Sequence, residues 1–241
     1  MEKNKIYLGD CLELMPKHIE DKSIDLIYCD LPYGTTQCKW DEIIPYNEMW
    51  AECKRVLKDY GTIVFHAQQP FTSALIMSNP KMFKYSWVWE KSKATGFLNA
   101  KIRPLVAHED IVVFAKNKPP YCPQMTKGTA YNKGVRKEQT ENDVYGGFNK
   151  VEVKSKGERY PRSVQYFKTA ESEGKTYHKT QKPIDLCEYI IKTYTQEGET
   201  VLDFTCGSGT TGRGAKNLNR DYIMMEQDPK YYEIANKRLE D

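Results

Sequence analysis

The sequence predicts an α/β protein: an open, doubly wound, mostly parallel sheet with helices on both faces and one insertion. Three observations carry this. Short apolar runs recur at 6–8, 24–29, 62–65, 86–89, 111–114, 201–204 and 222–225. They are continuous rather than alternating, as in strands covered on both faces. Helical patterns lie between several of them. The third observation is a segment, 117–177, in which this rhythm stops.

The elements follow in order. After the first run comes a charged segment, 13–22, and no apolar signal region opens the chain, so no secretory signal is read. Tyr46, Met49, Trp50, Cys53, Val56 and Leu57 recur at three and four, one apolar stripe on a helix. Ile184, Cys187, Ile190, Ile191 and Tyr194 form a second stripe, with Pro183 at its first helical position. The last helix runs over 229–240, with Tyr232, Ala235 and Leu239 on one side. A glycine-rich turn after the run 201–204 opens a further helix.

A chain of 241 residues is long enough for one α/β domain plus an insertion and too short for two ordinary domains. The expected division is a catalytic domain at 1–116 and 178–241 around an insertion at 117–177. No run reaches the roughly 18 apolar residues that would span a bilayer, so a soluble, cytoplasmic protein without a membrane partner is expected. Seven scattered cysteines without a C-x-x-C pair read as reduced thiols. Four histidines with no ligand spacing argue against a metal. His66 ends one apolar run and His108 precedes another, and both are read as partly buried with hydrogen-bond partners.

The net charge of +3 is small, but it is unevenly placed. Residues 117–177 hold twelve basic and seven acidic side chains, +5, which leaves the remainder at −2. Eight aromatics, among them Tyr121, Tyr131, Tyr145, Phe148 and Tyr160, are interleaved with the charge. Basic plus aromatic composition is that of a nucleic-acid surface, and Lys127, Arg136, Arg159 and Arg162 are its candidate contacts.

Two motifs carry chemistry. In Val201-Leu202-Asp203-Phe204-Thr205-Cys206-Gly207-Ser208-Gly209-Thr210-Thr211-Gly212 an apolar strand enters a glycine-rich turn, which lets backbone approach a ligand closely. Glu226 ends the next strand, 23 positions after Asp203, where a carboxylate can accept both hydroxyls of a ribose. The second motif, Asp30-Leu31-Pro32-Tyr33, follows a buried strand, at the edge where open α/β sheets bind ligands. An aromatic amine is a poor nucleophile because its lone pair is delocalised into the ring. If Asp30 and the Leu31 carbonyl each accept one N–H, the nitrogen is biased toward tetrahedral geometry. Pro32 fixes that backbone and Tyr33 can stack on an extruded base.

These residues resemble the amino-methyltransferases of DNA, specifically the permuted, beta-type group in which the Asp-Pro-Pro-Tyr-like motif precedes the glycine-rich one. The resemblance covers nearly the whole chain. It implies a Rossmann-like S-adenosylmethionine-dependent methyltransferase fold with circularly permuted motif order and a target-recognition insertion at 117–177. It further implies S-adenosylmethionine as cofactor, double-stranded DNA as partner, nucleoid association, and a homodimer as one assembly. Leu8-Gly9-Asp10-Cys11 is similar to the family's opening strand end, which implies that Asp10, beside Cys11, meets the cofactor's adenine. Asp203, Thr205, Gly207, Ser208, Gly209, Thr210, Thr211 and Glu226 correspond to the remaining cofactor motif. His178-Lys179-Thr180-Gln181-Lys182-Pro183 is similar to a loop near the methionine end, which implies that Lys182 meets its carboxylate. The segment 85–116, with Trp89, Lys91, His108 and Glu109, is similar to the strands after the catalytic motif. Three departures are visible: Leu31 where a proline or other residue is usual, Lys179 in place of the His-Pro proline, and Phe204-Thr205 for the commoner Pro-Phe order.

The implied reaction is in-line transfer of a sulfonium methyl to an exocyclic amine, by orientation and charge stabilisation from Asp30. Cys29 and Cys38 flank the motif without a supporting base, which disfavours a covalent mechanism. The 6-amino group of adenine is the expected acceptor, since the family favours a serine first for cytosine. The alternatives are the 4-amino group of cytosine, then RNA, then an inactive nucleic-acid-binding subunit.

Overall fold

The computed structural model describes residues 1–34, 41–136, 150–178 and 180–240. Cys38, Lys179 and, within the insertion, Lys137, Tyr145 and Phe148 lie outside the described residues. In chain order the elements are β1 (Lys5–Leu8), α1 (Cys11–His18), β2 (Ile24–Asp30), α2 (Tyr46–Val56), β3 (Leu57–Ala67), α3 (Phe71–Ser78), β4 (Phe83–Thr95) and β5 (Val106–Phe114). There follow β6 (Thr126–Lys127), β7 (Tyr131–Arg136), β8 (Val151–Ser155), β9 (Glu158–Arg159) and β10 (Val164–Phe167). The chain ends with α4 (Ala170–Glu173), α5 (Ile184–Tyr194), β11 (Thr200–Asp203), α6 (Thr210–Asn217), β12 (Asp221–Glu226) and α7 (Pro229–Glu240).

Among the described residues eight strands form one sheet in the order β1-β12-β11-β2-β3-β5-β4-β10. Within it β5 alone runs against its neighbours. The carboxyl ends of the other seven therefore share one edge, and the amino end of β5 joins them. Between β2 and β11 the chain turns to opposite sides, β2 leading to β3 and β11 to β12. Such a switch point leaves a crevice outside the strand ends.

Pleating sends alternate side chains to the two faces. Ile27, Cys29, Ile63, Phe65, Ile223 and Met225 pack with Met15 of α1, Met49, Trp50 and Cys53 of α2 and Leu75 of α3. Leu26, Tyr28, Val64, Val201 and Met224 face the other layer, Leu186, Ile190 and Tyr194 of α5, Ala215 of α6 and Ala235 of α7. Because both faces are covered, the strands read as continuous apolar runs.

Several elements differ from the sequence expectation. The charged segment after β1 is helical: Asp10 caps α1 by accepting from Leu12 N at 2.7 Å, and Cys11 and Met15 are its buried positions. Helix α3 carries few polar residues to define a face, so periodicity does not mark it. Pro183 stands one residue earlier than expected, as the N-cap of α5. Among its described residues the segment 117–177 contains five short strands, β6 to β10, whose length is too small to set up a period. Strand β10 pairs in parallel with β4, Val164 opposite Val88 and Phe167 opposite Lys91, and so belongs to the main sheet.

The described chain divides into two compact units, Met1–Cys122 with Ser163–Asp241, and Pro123–Arg162. The smaller unit holds two antiparallel pairs, β6 with β9 and β7 with β8. Within it the Arg159 guanidinium lies 4.8 Å over the Tyr131 ring. No helix among the described residues is long and apolar enough to cross a membrane. The described cysteines are free thiols, five of them buried.

Candidate active site

Along the carboxyl edge of the sheet opens a cleft of about 940 Å³, lined by residues from both motifs and from the loop before α5. Asp30, the last residue of β2, stands at the switch point. Its Oδ1 accepts from Tyr33 Oη at 2.9 Å, and its Oδ2 from Lys182 Nζ at 2.5 Å. Its backbone carbonyl accepts from Thr205 Oγ1 at 3.1 Å, which ties this motif to the glycine-rich turn. The Tyr33 ring stacks on Phe71 with centroids 5.1 Å apart, so its face is held by the start of α3.

Lys182 is shared. Glu109, at the amino end of β5, places Oε2 3.5 Å from Lys182 Nζ, while its Oε1 faces Lys91 Nζ at 3.3 Å. A chain of alternating charge, Lys91, Glu109, Lys182, Asp30, thus runs along the floor of the cleft. Burial alone would lower the Lys182 pKa; the opposing pull of Asp30 and Glu109 outweighs it and holds the ammonium above its usual range. Beside this chain His66 is buried, with Nε2 2.8 Å from Tyr28 Oη. Burial and the nearby Lys182 push its pKa down to about 3, so the imidazole is neutral at pH 7.

On the other side of the switch point β11 ends at Asp203, which is buried and accepts from Thr205 N at 3.0 Å. Burial pushes its pKa up to about 7 against hydrogen bonds that favour the carboxylate. The turn then passes through Gly207 and Gly209 at φ +52° and +80°. A Cβ on Gly209 would sit 3.0 Å from Ala235 Cβ, so glycine is required there for conformation and for packing against α7. Glu226 closes the loop from β12: Oε2 accepts from Gly207 N and Oε1 from Asp228 N, each at 2.8 Å. Burial raises its pKa despite those bonds. Ser208 Oγ reaches Gln181 Oε1 at 3.3 Å, and Arg238 Nη1 donates to the Ser208 carbonyl at 2.6 Å. Asp10, Cys11, Thr210 and Thr211 line the same cleft.

The fold therefore brings the catalytic candidates Asp30, Leu31, Pro32 and Tyr33 to one cleft with every cofactor candidate except Gly209, which supports the turn from behind. Three placements were not given by the sequence reading. Lys182 is turned to Asp30 and Glu109, because two carboxylates lie within its reach. Tyr33 already has a stacking partner and a hydrogen bond to Asp30. His108 is exposed, since the amino end of β5 projects beyond the packed helices, while His66 is fully buried. In the smaller unit Lys127 is exposed on β6 and Arg136 ends β7. Arg159 Nη1 donates to Ser155 Oγ at 2.6 Å and Nη2 to the Thr129 carbonyl, so its donors are engaged within the unit.

The sequence reading assigned no role to Glu109, Gln181 or Trp89, all of which line the cleft. Glu109 precedes an apolar run, but only the reversed direction of β5 brings it to the catalytic edge. Burial pushes the Cys29 thiol well up, with Asp203 adding to the shift, which opposes a thiolate nucleophile there. Among the described residues no group of three or more His, Cys, Asp or Glu side chains could hold a metal ion.

Residues 24–237 match the DNA methylase family. The Type II methyltransferase M.HinfI of Haemophilus influenzae is 31% identical over 98% of this chain and 68% of its own length. Among solved structures, the M1.HpyAVI–SAM complex superposes with a TM-score of 0.68 at 24% identity, covering 98% of each chain. The cytosine-N4-specific PvuII DNA methyltransferase gives 0.67 at 17% identity, over 99% of this chain and 86% of its own. The chain belongs to the N6/N4 DNA methylase family, whose members draw the methyl group from S-adenosylmethionine.

Proposed function

We propose that the protein is a site-specific DNA methyltransferase that moves a methyl group from S-adenosylmethionine to the exocyclic 6-amino group of adenine in duplex DNA. The observation that carries this reading is the Thr205–Asp30 hydrogen bond, which joins the amine-activating motif to the glycine-rich turn across one cleft.

The residues fit the donor. Gly207 and Ser208 line the cleft beside Glu226, and each Glu226 oxygen has a second lone pair beyond the one its loop amide takes. Glu226 would hold the ribose, Asp10 the adenine side, and the loop at Gln181 and Lys182 the methionine end. When bound, S-adenosylmethionine supplies an electrophilic methyl on a sulfonium. The chain's part is orientation and electrostatics. Asp30 and the Leu31 carbonyl take the two N–H groups of an extruded base, and Asp30 stabilises the positive charge that grows on nitrogen as the methyl arrives. Tyr33 takes one lone pair of Asp30 Oδ1 and Lys182 one of Oδ2, so each carboxylate oxygen keeps a second lone pair with which to accept from the amine. The neutral His66 adds no competing charge.

A second reading, transfer to the 4-amino group of cytosine, is favoured by the likeness to the PvuII enzyme. The same two acceptors serve either base. The test is to express the protein in a methylation-deficient host, digest its DNA to nucleosides and separate them by mass spectrometry. N6-methyladenine is expected; N4-methylcytosine alone overturns the base assignment and keeps the mechanism. Label from S-adenosylmethionine entering RNA only, or nothing, overturns the DNA reading.

A further inference from the structure

Strand β4 leaves the site at Thr95, which lines the cleft and pairs with Val106 across a hairpin. Between them residues 96–105 project from the catalytic edge, with one 3-10 turn at Phe97–Asn99 after Gly96 at φ +86°. At the tip Phe97 is 77% exposed, Leu98 85% and Ile102 82%, a concentration of bare apolar surface that water disfavours. Its charge is one-sided: from Glu90 to Glu109 the chain carries Lys91, Lys93, Lys101 and Arg103 and no intervening carboxylate. Lys91 belongs to the site, and Lys93 stands 3.5 Å from Glu171. Lys101 and Arg103 are exposed beside the apolar tip.

We propose that this loop is a second DNA-contacting element, an apolar wedge with flanking phosphate contacts at the rim of the catalytic cleft. The proposal rests on the DNA methyltransferase reading. Taking a base out of the stack exposes the faces of its neighbours, and apolar side chains at that place cover them. Phe97, Leu98 and Ile102 supply that surface, while Lys101 and Arg103 neutralise phosphates on either side. A second copy of this chain is the competing occupant, but it would bring the same cations to the same place; a polyanion with apolar base faces complements both features.

The test uses the full chain and two variants. Replacing Phe97, Leu98 and Ile102 together by Ser removes only exposed side chains, so melting temperature and S-adenosylmethionine affinity should hold. Its kcat/KM for transfer to unmethylated genomic DNA should fall at least about 10-fold, while the salt dependence of binding to a random-sequence duplex stays as in the wild type. Lys101→Ser with Arg103→Ser should instead lower that salt slope by about two. Wild-type transfer by the apolar variant overturns the wedge, and an unchanged slope in the charge variant overturns the phosphate contacts. A change from dimer to monomer in sedimentation, with transfer recovered at high protein concentration, assigns the surface to a second copy. Failure of the underlying reading is distinguishable, because the wild-type chain would then methylate no DNA.

Discussion

At the scale of single residues Asp30 is held from three sides: Tyr33 and Lys182 on its carboxylate and Thr205 on its carbonyl. Its direction is fixed before any base arrives. Asp30→Ala should lower transfer by about 100-fold or more while S-adenosylmethionine still binds, as judged by single-turnover rates and calorimetry. Near-normal turnover in the folded variant removes the residue from the mechanism.

Asp203 makes a separate, pH-dependent contribution. Its folded pKa of about 7 lies above the ordinary 3.8, so the folded chain keeps a proton that the unfolded chain gives up. That stabilisation is complete below about pH 4 and is lost as pH rises through 7. His66 has the opposite sign: its folded pKa of about 3 lies below 6.5, so its contribution is lost on acidification and complete above about 6.5. The two offset each other in mildly acid solution. Between about pH 6 and 7.5 the wild type should lose stability relative to Asp203→Asn by less than about 1.4 kcal/mol per pH unit. Parallel denaturation profiles for the two proteins would show that Asp203 does not retain its proton.

Among the elements, the glycine-rich turn and the end of β12 act together, since Glu226 accepts the amides of Gly207 and Asp228. Removing that carboxylate has two consequences. Glu226→Ala should weaken S-adenosylmethionine by about 1.5–3 kcal/mol, the worth of hydrogen bonds to a charged group, in titration calorimetry. It should also lower the melting temperature of the ligand-free protein, because two loop amides lose their acceptor. An affinity equal to the wild type would place the ribose elsewhere.

At the scale of the whole molecule, the two compact units divide the charge. Pro123–Arg162 carries nine basic and five acidic side chains, and the remainder of the chain is close to neutral. Within that unit the arginines and lysines are not equivalent. Arg159 is bonded to Thr129 and Ser155 and covers Tyr131, whereas Lys127 is exposed. Lys127→Ala should reduce the salt slope of DNA binding by about one and leave proteolytic resistance unchanged. Arg159→Ala should make the unit more sensitive to protease. The reverse pattern would exchange their roles.

What the sequence determined by itself was local: apolar runs became strands, the stripe read over 46–57 became α2 as far as Val56, with Leu57 opening β3, and the stripe at 184–194 became α5. Those features depend on neighbouring residues, and periodicity records them. The charged α1 and apolar α3 escaped because their stability comes from the sheet they cover rather than from a visible stripe. Glu109 and Lys91 escaped for a longer-range reason. The reversal of β5 and the pairing of β4 beside it decide that Lys91 meets Glu109 and that Glu109 meets Lys182, which also bonds Asp30. Sequence names the residue types that amine methylation needs; only the tertiary structure, by closing strands far apart in the chain onto one edge, decides which charges share a cleft and which partner each one takes.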